Sequence, residues 1–237
     1  MTDHGHSKKE IAARIATPPG RGFLRDAVFG AIDGTVTTFA IVAGVAGAGL
    51  SPFVIVALGL ANVLADGFSM AAANYSGSKA EVENIRRIRS IEERHIREYP
   101  DGEKLEVREI LSRKGLEGDV LLQATELVTR DRENWIALML EGEYGLSEAD
   151  PHPIKSAAAT FAAFLLAGVV PLFPFLFGLE SAFAISATLT MATFCVIGAL
   201  KSIWSLTPWW RSVIETLAIG GGAAAIAYFV GSLFHAS

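Results

Sequence analysis

Residues 59–99 read "GLANVLADGFSMAAANYSGSKAEVENIRRIRSIEERHIREY". The first half is almost free of charge, and the second half, from Lys79 onward, is crowded with it. No proline lies between Pro52 and Pro100, and strong helix formers run across the change in character. A helical pattern that turns from apolar to charged without a breaker reads as one helix leaving hydrocarbon and entering water. The stretch predicts a membrane span at about residues 53–76, carried on as a stalk to about Tyr99.

The rest of the chain fits that reading. Gly34 to Ala65 is free of charge for 32 residues, too long for one span, and "GAGLSPF" in its middle reads as a turn. Three further runs are uncharged: Ser156–Leu179, Ser181–Leu200 and Thr216–Phe234. A bilayer-crossing helix needs roughly 20 apolar residues, so five spans are predicted, at about 27–48, 53–76, 156–178, 181–200 and 213–234. The predicted fold is all-α, a five-helix transmembrane bundle with a cytosolic helical insert between the second and third spans. Its expected parts are a cytosolic N-terminal segment (1–25), spans one and two (26–77), the insert (78–153) and spans three to five (154–237).

Residues 79–155 hold 13 of the 20 Lys and Arg and 18 of the 25 Asp and Glu. The insert is acidic overall, and nothing in it supports nucleic-acid binding. Three helices are expected after the stalk: one N-capped by Asp101 and ended by Gly115, a second over "EGDVLLQATELVT", and a third from Asp131 to about Gly145. "DPHP" then breaks the chain. Basic residues set the orientation. Lys8, Lys9, Arg14, Arg21 and Arg25 precede the first span, the insert is rich in arginine, and Lys201 and Arg211 flank the loop between spans four and five. The loops "GAGLSP" and "GLES" carry no basic residue. The N-terminus, the insert and the 4–5 loop are therefore expected on the cytoplasmic side. The polar N-terminus has no apolar core of the kind a secretory signal needs. Cys195 is the single cysteine and reads as a small buried hydrophobe.

Two groups of residues carry chemistry. In span two, Asn62, Asp66, Met70 and Asn74 follow one another at intervals of four and form a slowly winding stripe on one face. Span one adds Asp33. Hydrogen-bonded helix contacts would account for the two asparagines. They account poorly for two carboxylates, because no span offers a Lys or Arg to pair with them. Oxygens with a thioether favour a transition-metal ion over sodium or calcium, so Asp33 reads as a cation ligand, a proton acceptor, or both in turn. Pro171 and Pro174 in "GVVPLFPF" are expected to kink span three. Small residues (Gly30, Gly34, Gly44, Gly47, Ala71–Ala73, Gly220–Gly222) would permit close helix contact.

The second group lies in the insert. Glu103, Glu106 and Glu109 recur every three residues on one helix face, the stalk carries several glutamates, and Met139 and Glu143 are one turn apart. The plain alternative is a solvated acidic face paired with the stalk's arginines.

These residues together resemble the vacuolar iron transporter (VIT) family. "FGAIDGTVTTFAIVAGVAGA", "GLANVLADGFSMAAANYSGSKAEVE", "GVVPLFPF" and "WIALMLEGEYGL" carry the likeness, from about Phe23 to Phe234. The resemblance implies five transmembrane helices, a cytosolic helical metal-binding domain, and a homodimer with the pathway between protomers. It implies proton-coupled export of Fe²⁺, and often Mn²⁺, from the cytosol, with no prosthetic group and no enzymatic activity; Co²⁺ and Zn²⁺ join these as ions bound or carried. By the resemblance, Asp33 and Met70 fall on pathway residues, and Asn62 falls where some members carry glutamate, which puts more weight on Asp66. Glu92, Glu103 and Glu106 fall on glutamates of the metal cluster, Met139 and Glu143 on ligands of the fourth insert helix, and His95 where another glutamate is expected. The host membrane would be the plasma membrane of a prokaryote or a vacuolar-type membrane of a eukaryote. A Mn²⁺-selective exporter is the nearest alternative. A membrane-anchored ferroxidase is a poorer one, since the Glu92–His95 Glu-x-x-His pair occurs once and a di-iron bundle needs two. A metal sensor that moves nothing is the third.

Overall fold

The apolar runs fold as helices, and so does the charged insert between them. The structure is a computed structural model and describes residues 7–16, 23–146, 152–202 and 207–234. Among these residues all regular structure is helical. A short α1 (Lys8–Ala16) is followed by α2 (Leu24–Gly47) and α3 (Pro52–Glu98). The insert continues with α4 (Pro100–Arg113), α5 (Gly118–Thr129) and α6 (Arg132–Gly142). Then come α7 (Pro153–Gly168), a 3₁₀ turn (Val170–Leu172), α8 (Phe173–Leu176), α9 (Ala182–Lys201) and α10 (Trp209–Leu233). Five segments are long and apolar enough to cross a membrane: Leu24–Gly47, Pro52–Glu98, Pro153–Leu176, Ala182–Lys201 and Trp209–Leu233. The protein is an integral membrane protein with five spanning helices.

The predicted span ends differ from the observed ones by a few residues. The fifth begins earlier than expected, because Pro208 caps the helix and Trp209 opens it. The stalk does run unbroken from the second span, as the 47 residues of α3. Asp101 does not cap α4. Tyr99 holds that position and Pro100 is the first helical residue, where its fixed φ suits the helix and its missing N–H costs nothing. Asp101 instead places its charge in the first turn, where the helix dipole favours it. Asp131 does cap α6, its side chain accepting the Asn134 N–H at 2.8 Å. Arg21, the first half of "DPHP" (Asp150 and Pro151) and the centre of the 4–5 loop lie outside the described residues.

The chain divides into two units, each with its own core. One comprises Gly22–Gly77 and His152–Ser237. In it α2 is the central helix, flanked by α7, α9 and α10. Val42, Val45, Ile55, Val63 and Leu172 form its apolar centre. Pro171 and Pro174 break the third span into α7, the 3₁₀ turn and α8, and the carbonyl of Pro171 accepts the Ser186 hydroxyl at 2.7 Å. Glycines set the spacing of α2 against its neighbours. A Cβ on Gly34 would come within 2.5 Å of the Phe164 carbonyl oxygen in α7, and one on Gly30 within 2.3 Å of that of Thr160. Gly221 and Gly222 have nothing within 4 Å, so they do not serve helix contact inside the protomer as the sequence suggested. Gly34→Ala is expected to lower stability by about 1–3 kcal/mol, since backbone rather than a movable side chain stands in the way. Thermal unfolding in detergent reads this, with Gly221→Ala as the variant that should melt like the wild type.

The other unit comprises Ser78–Pro151 with Met1–Arg21. Val107, Ile110, Leu111, Leu121, Trp135 and Met139 form its main core, and Ile88, Ile136 and Leu140 a second. Most of these residues recur at helical spacing on α4 and α6; Leu121 joins them from α5, and Ile88 packs the stalk half of α3 against α6. The acidic side chains of the three helices are thereby brought together.

Candidate metal sites

Asp33 on α2 and Asp66 on α3 are both partly buried, and their charges are close enough to interact. Among the described residues no Lys or Arg pairs with either. Met70, also partly buried, follows Asp66 by one helical turn. The structure thus brings two carboxylates from adjacent helices together with a thioether nearby. Asn62 is occupied differently: its amide donates to the Thr37 hydroxyl at 3.3 Å, and that hydroxyl donates to the Asp33 carbonyl at 2.8 Å. Asn62 ties α3 to α2 beside the carboxylate. Asn74 ties three helices. Its amide donates to Asp26 Oδ1 at 3.2 Å and to Thr160 Oγ1 at 2.6 Å. Asp26 was not singled out from the sequence, where it looks like one more charge flanking a span; the amide at Asn74 was its only signal.

In the insert the two readings of the acidic residues can be separated one by one. Glu83, Glu93, Glu109, Glu126, Glu133 and Glu141 each pair with a Lys or Arg. For them the solvated, paired face is right. Glu92, Glu103, Glu106 and Glu143 have no such partner among the described residues. Glu92 is 1% exposed and Glu103 5%, and each keeps one carboxylate oxygen, Oε2, buried without a hydrogen-bond partner. An ionised group in that position is costly unless something cationic satisfies it.

The four carboxylates share one electrostatic neighbourhood. Burial, then the charges of Glu106 and Glu92, push the Glu103 carboxyl up to about 7. Burial, then Glu143 and Glu92, also raise Glu106, with His95 acting the other way. His95 is not a solvent-facing bystander: its Nδ1 lies 3.4 Å from Glu103 Oε1. Tyr144, which the sequence reading passed over, donates its hydroxyl to Glu92 Oε1 at 3.0 Å. Met139 is fully buried and packs in the main core one turn before Glu143. An open pocket of about 250 Å³ between α4 and α6, lined by Glu106, Glu109, Ile110, Arg113, Gly142 and Glu143, leads to this region. Among the described residues no three His, Cys, Asp or Glu side chains converge tightly enough to hold an ion without moving. The carboxylates are gathered, and rotation of exposed Glu106 and Glu143 is what would close them on a cation.

A profile of the VIT family matches residues 24–232. The chain belongs to the VIT family. Its curated relatives include vacuolar iron transporter 1 of Eucalyptus grandis, 32% identical over 208 residues that cover 86% of this chain and 84% of the relative. Vacuolar iron transporter 1 of Arabidopsis thaliana is 30% identical over 231 residues, covering 96% and 89%. The vacuolar iron transporter of Toxoplasma gondii is 32% identical over 225 residues, covering 90% and 74%. These VIT relatives are transporters, not enzymes, as the sequence led one to expect.

Proposed function

We propose that this VIT-family chain is a proton-coupled transporter that exports Fe²⁺, and also Mn²⁺, from the cytosol, working as a homodimer. The nearness of Asp33 and Asp66 on two membrane-spanning helices, close enough for their charges to interact and with no basic partner among the described residues, is the observation that carries the reading. Two adjacent carboxylates repel when both are charged. A divalent cation removes that repulsion, and so does a proton. Exchange of one for the other is the simplest way to load and unload such a pair. Met70 adds a softer donor, which favours first-row transition metals over Mg²⁺ or Ca²⁺. The insert faces the cytosol in this reading and captures the ion through Glu92, Glu103, Glu106 and Glu143. His95 stands beside Glu103, and Met139 supplies a thioether below Glu143. The names of the relatives support iron as cargo.

The test is flux into proteoliposomes, comparing Fe²⁺, Mn²⁺, Co²⁺ and Zn²⁺ with and without a pH gradient. Metal is expected to move against a proton gradient and to acidify the compartment it leaves. Metal flux with no pH change would mean a uniporter. Mn²⁺ carried well ahead of Fe²⁺ would make this a manganese exporter.

A further inference from the structure

Tyr144 reaches the acidic cluster from the turn that closes α6. The helix ends at Gly142 with Glu143 as its C-cap; two residues on, Gly145 takes φ of +65°, a conformation glycine adopts without strain, and its N–H returns to the Glu141 carbonyl at 3.1 Å. Tyr144, just before it, faces the stalk half of α3. There the Tyr144 hydroxyl donates to Glu92 Oε1 at 3.0 Å. Glu92 is 1% exposed, so water does not compete freely for that oxygen. The other oxygen, Oε2, is buried and has no hydrogen-bond partner among the described residues. One buried carboxylate thus has one oxygen engaged and one left over.

We infer that Tyr144 tunes ion selectivity in this cluster: by occupying a lone pair of Glu92 Oε1 it biases Glu92 toward binding a cation through Oε2 alone, which favours small first-row divalent ions over Ca²⁺. The inference rests on the reading of the cluster as a cation site. Ca²⁺ gathers roughly six to eight oxygens and often takes both oxygens of one carboxylate. With Glu92 biased to a single oxygen, the site denies Ca²⁺ the two-oxygen grip on that carboxylate. First-row transition ions accept fewer ligands, so one well-oriented oxygen per carboxylate serves them. The same hydrogen bond fixes the direction of the free lone pairs, as outer partners of metal ligands do. Tyr144 as a whole is 38% exposed, while its hydroxyl is engaged with the buried Glu92.

The test is Tyr144→Phe in the full chain in detergent, with Asp33→Asn in every sample so that the titration reads the insert. Mn²⁺ and Ca²⁺ are titrated separately and in competition. Mn²⁺ should bind about tenfold more weakly, the low end of the range for a lost outer partner. Ca²⁺ should bind as well as before or better, because both oxygens of Glu92 are now open to it. The Ca²⁺-to-Mn²⁺ affinity ratio should therefore rise about tenfold or more, on the same loss. Infrared spectra of the Ca²⁺-loaded variant should show carboxylate bands moved toward the two-oxygen pattern. Tyr144→Leu, which also removes the ring, should shift the ratio the same way. If both ions weaken in parallel, or neither changes, Tyr144 has no selective role and the cation site stands. If the Tyr144-intact protein binds no Mn²⁺, the cation site and the inference fall together.

Discussion

Asp33→Asn should leave a folded protein that carries no metal. The substitution keeps the size and most of the hydrogen-bonding reach of the side chain. The packing of α2 should survive it, since the contacts of Gly30 and Gly34 against α7 come from other positions. What disappears is one of two negative charges, on α2 and α3, that interact with each other. A lone Asp66 with Met70 is a poorer cation site, and it can no longer trade two protons' worth of charge for one divalent ion. Flux in proteoliposomes is expected to fall to the level of empty vesicles. Asp66→Asn should do the same, and the double variant should be no worse than either, as for groups that act as one unit. Asn62→Ala is the contrasting case. It removes a bond to Thr37 that holds helices together. Such bonds within membranes average about 0.6 kcal/mol, so flux should persist, reduced less than tenfold. Full flux in Asp33→Asn would reduce that carboxylate to a packing element and remove the basis of the transport reading.

Much of this was legible in the sequence because the relevant forces act locally. Charge-free length marks the five spans, since a bilayer excludes charge whatever the tertiary fold. The absence of proline between Pro52 and Pro100 marks the unbroken α3. Asp131 with its partner Asn134 is a local cap, readable from the residues alone. Capping at α4 was misread because two adjacent signals competed: Asp101 looks like a cap, but the ring of Pro100 already fits the first helical position.

The candidate sites were legible only in part, because they depend on contacts between distant segments. Spacing groups Glu103, Glu106 and Glu109 on one face, yet the structure separates them: Glu109 pairs with Arg113, while Glu103 is buried without a basic partner beyond His95. Helical periodicity cannot make that distinction. The role of Tyr144 depends on a bond that spans 52 residues of chain. The Asp26–Asn74–Thr160 knot is likewise invisible in one dimension, since each member lies on a different helix.

The metal-free insert should become less stable as pH rises, in contrast to most acidic domains. Glu103 titrates at about 7 in the folded protein, against an ordinary value of 4.5. Burial is the first cause, and the charges of Glu106, Glu92 and Glu143 add to it. The folded state therefore binds this proton more tightly than the unfolded state does. Its stabilising effect is complete below about pH 4.5, declines as pH rises toward 7, and is gone above that. At 1.36 kcal/mol per pH unit the difference amounts to about 3 kcal/mol at most. Hydrogen exchange of α4 amides in the full chain, corrected for the intrinsic rate, measures it as faster local opening at pH 8 than at pH 5. Mn²⁺ should reverse the trend at pH 8, because a cation satisfies the charges that a proton satisfies at low pH. Glu103→Gln should flatten the metal-free pH dependence and abolish most of the protection that Mn²⁺ gives. If that variant behaves like the wild type in both respects, Glu103 is neither the group that titrates nor one that holds the ion. A flat response in the unaltered protein would mean that Glu103 reaches water in the native ensemble. The acidic residues of α3, α4 and α6 would then be a hydrated surface after all.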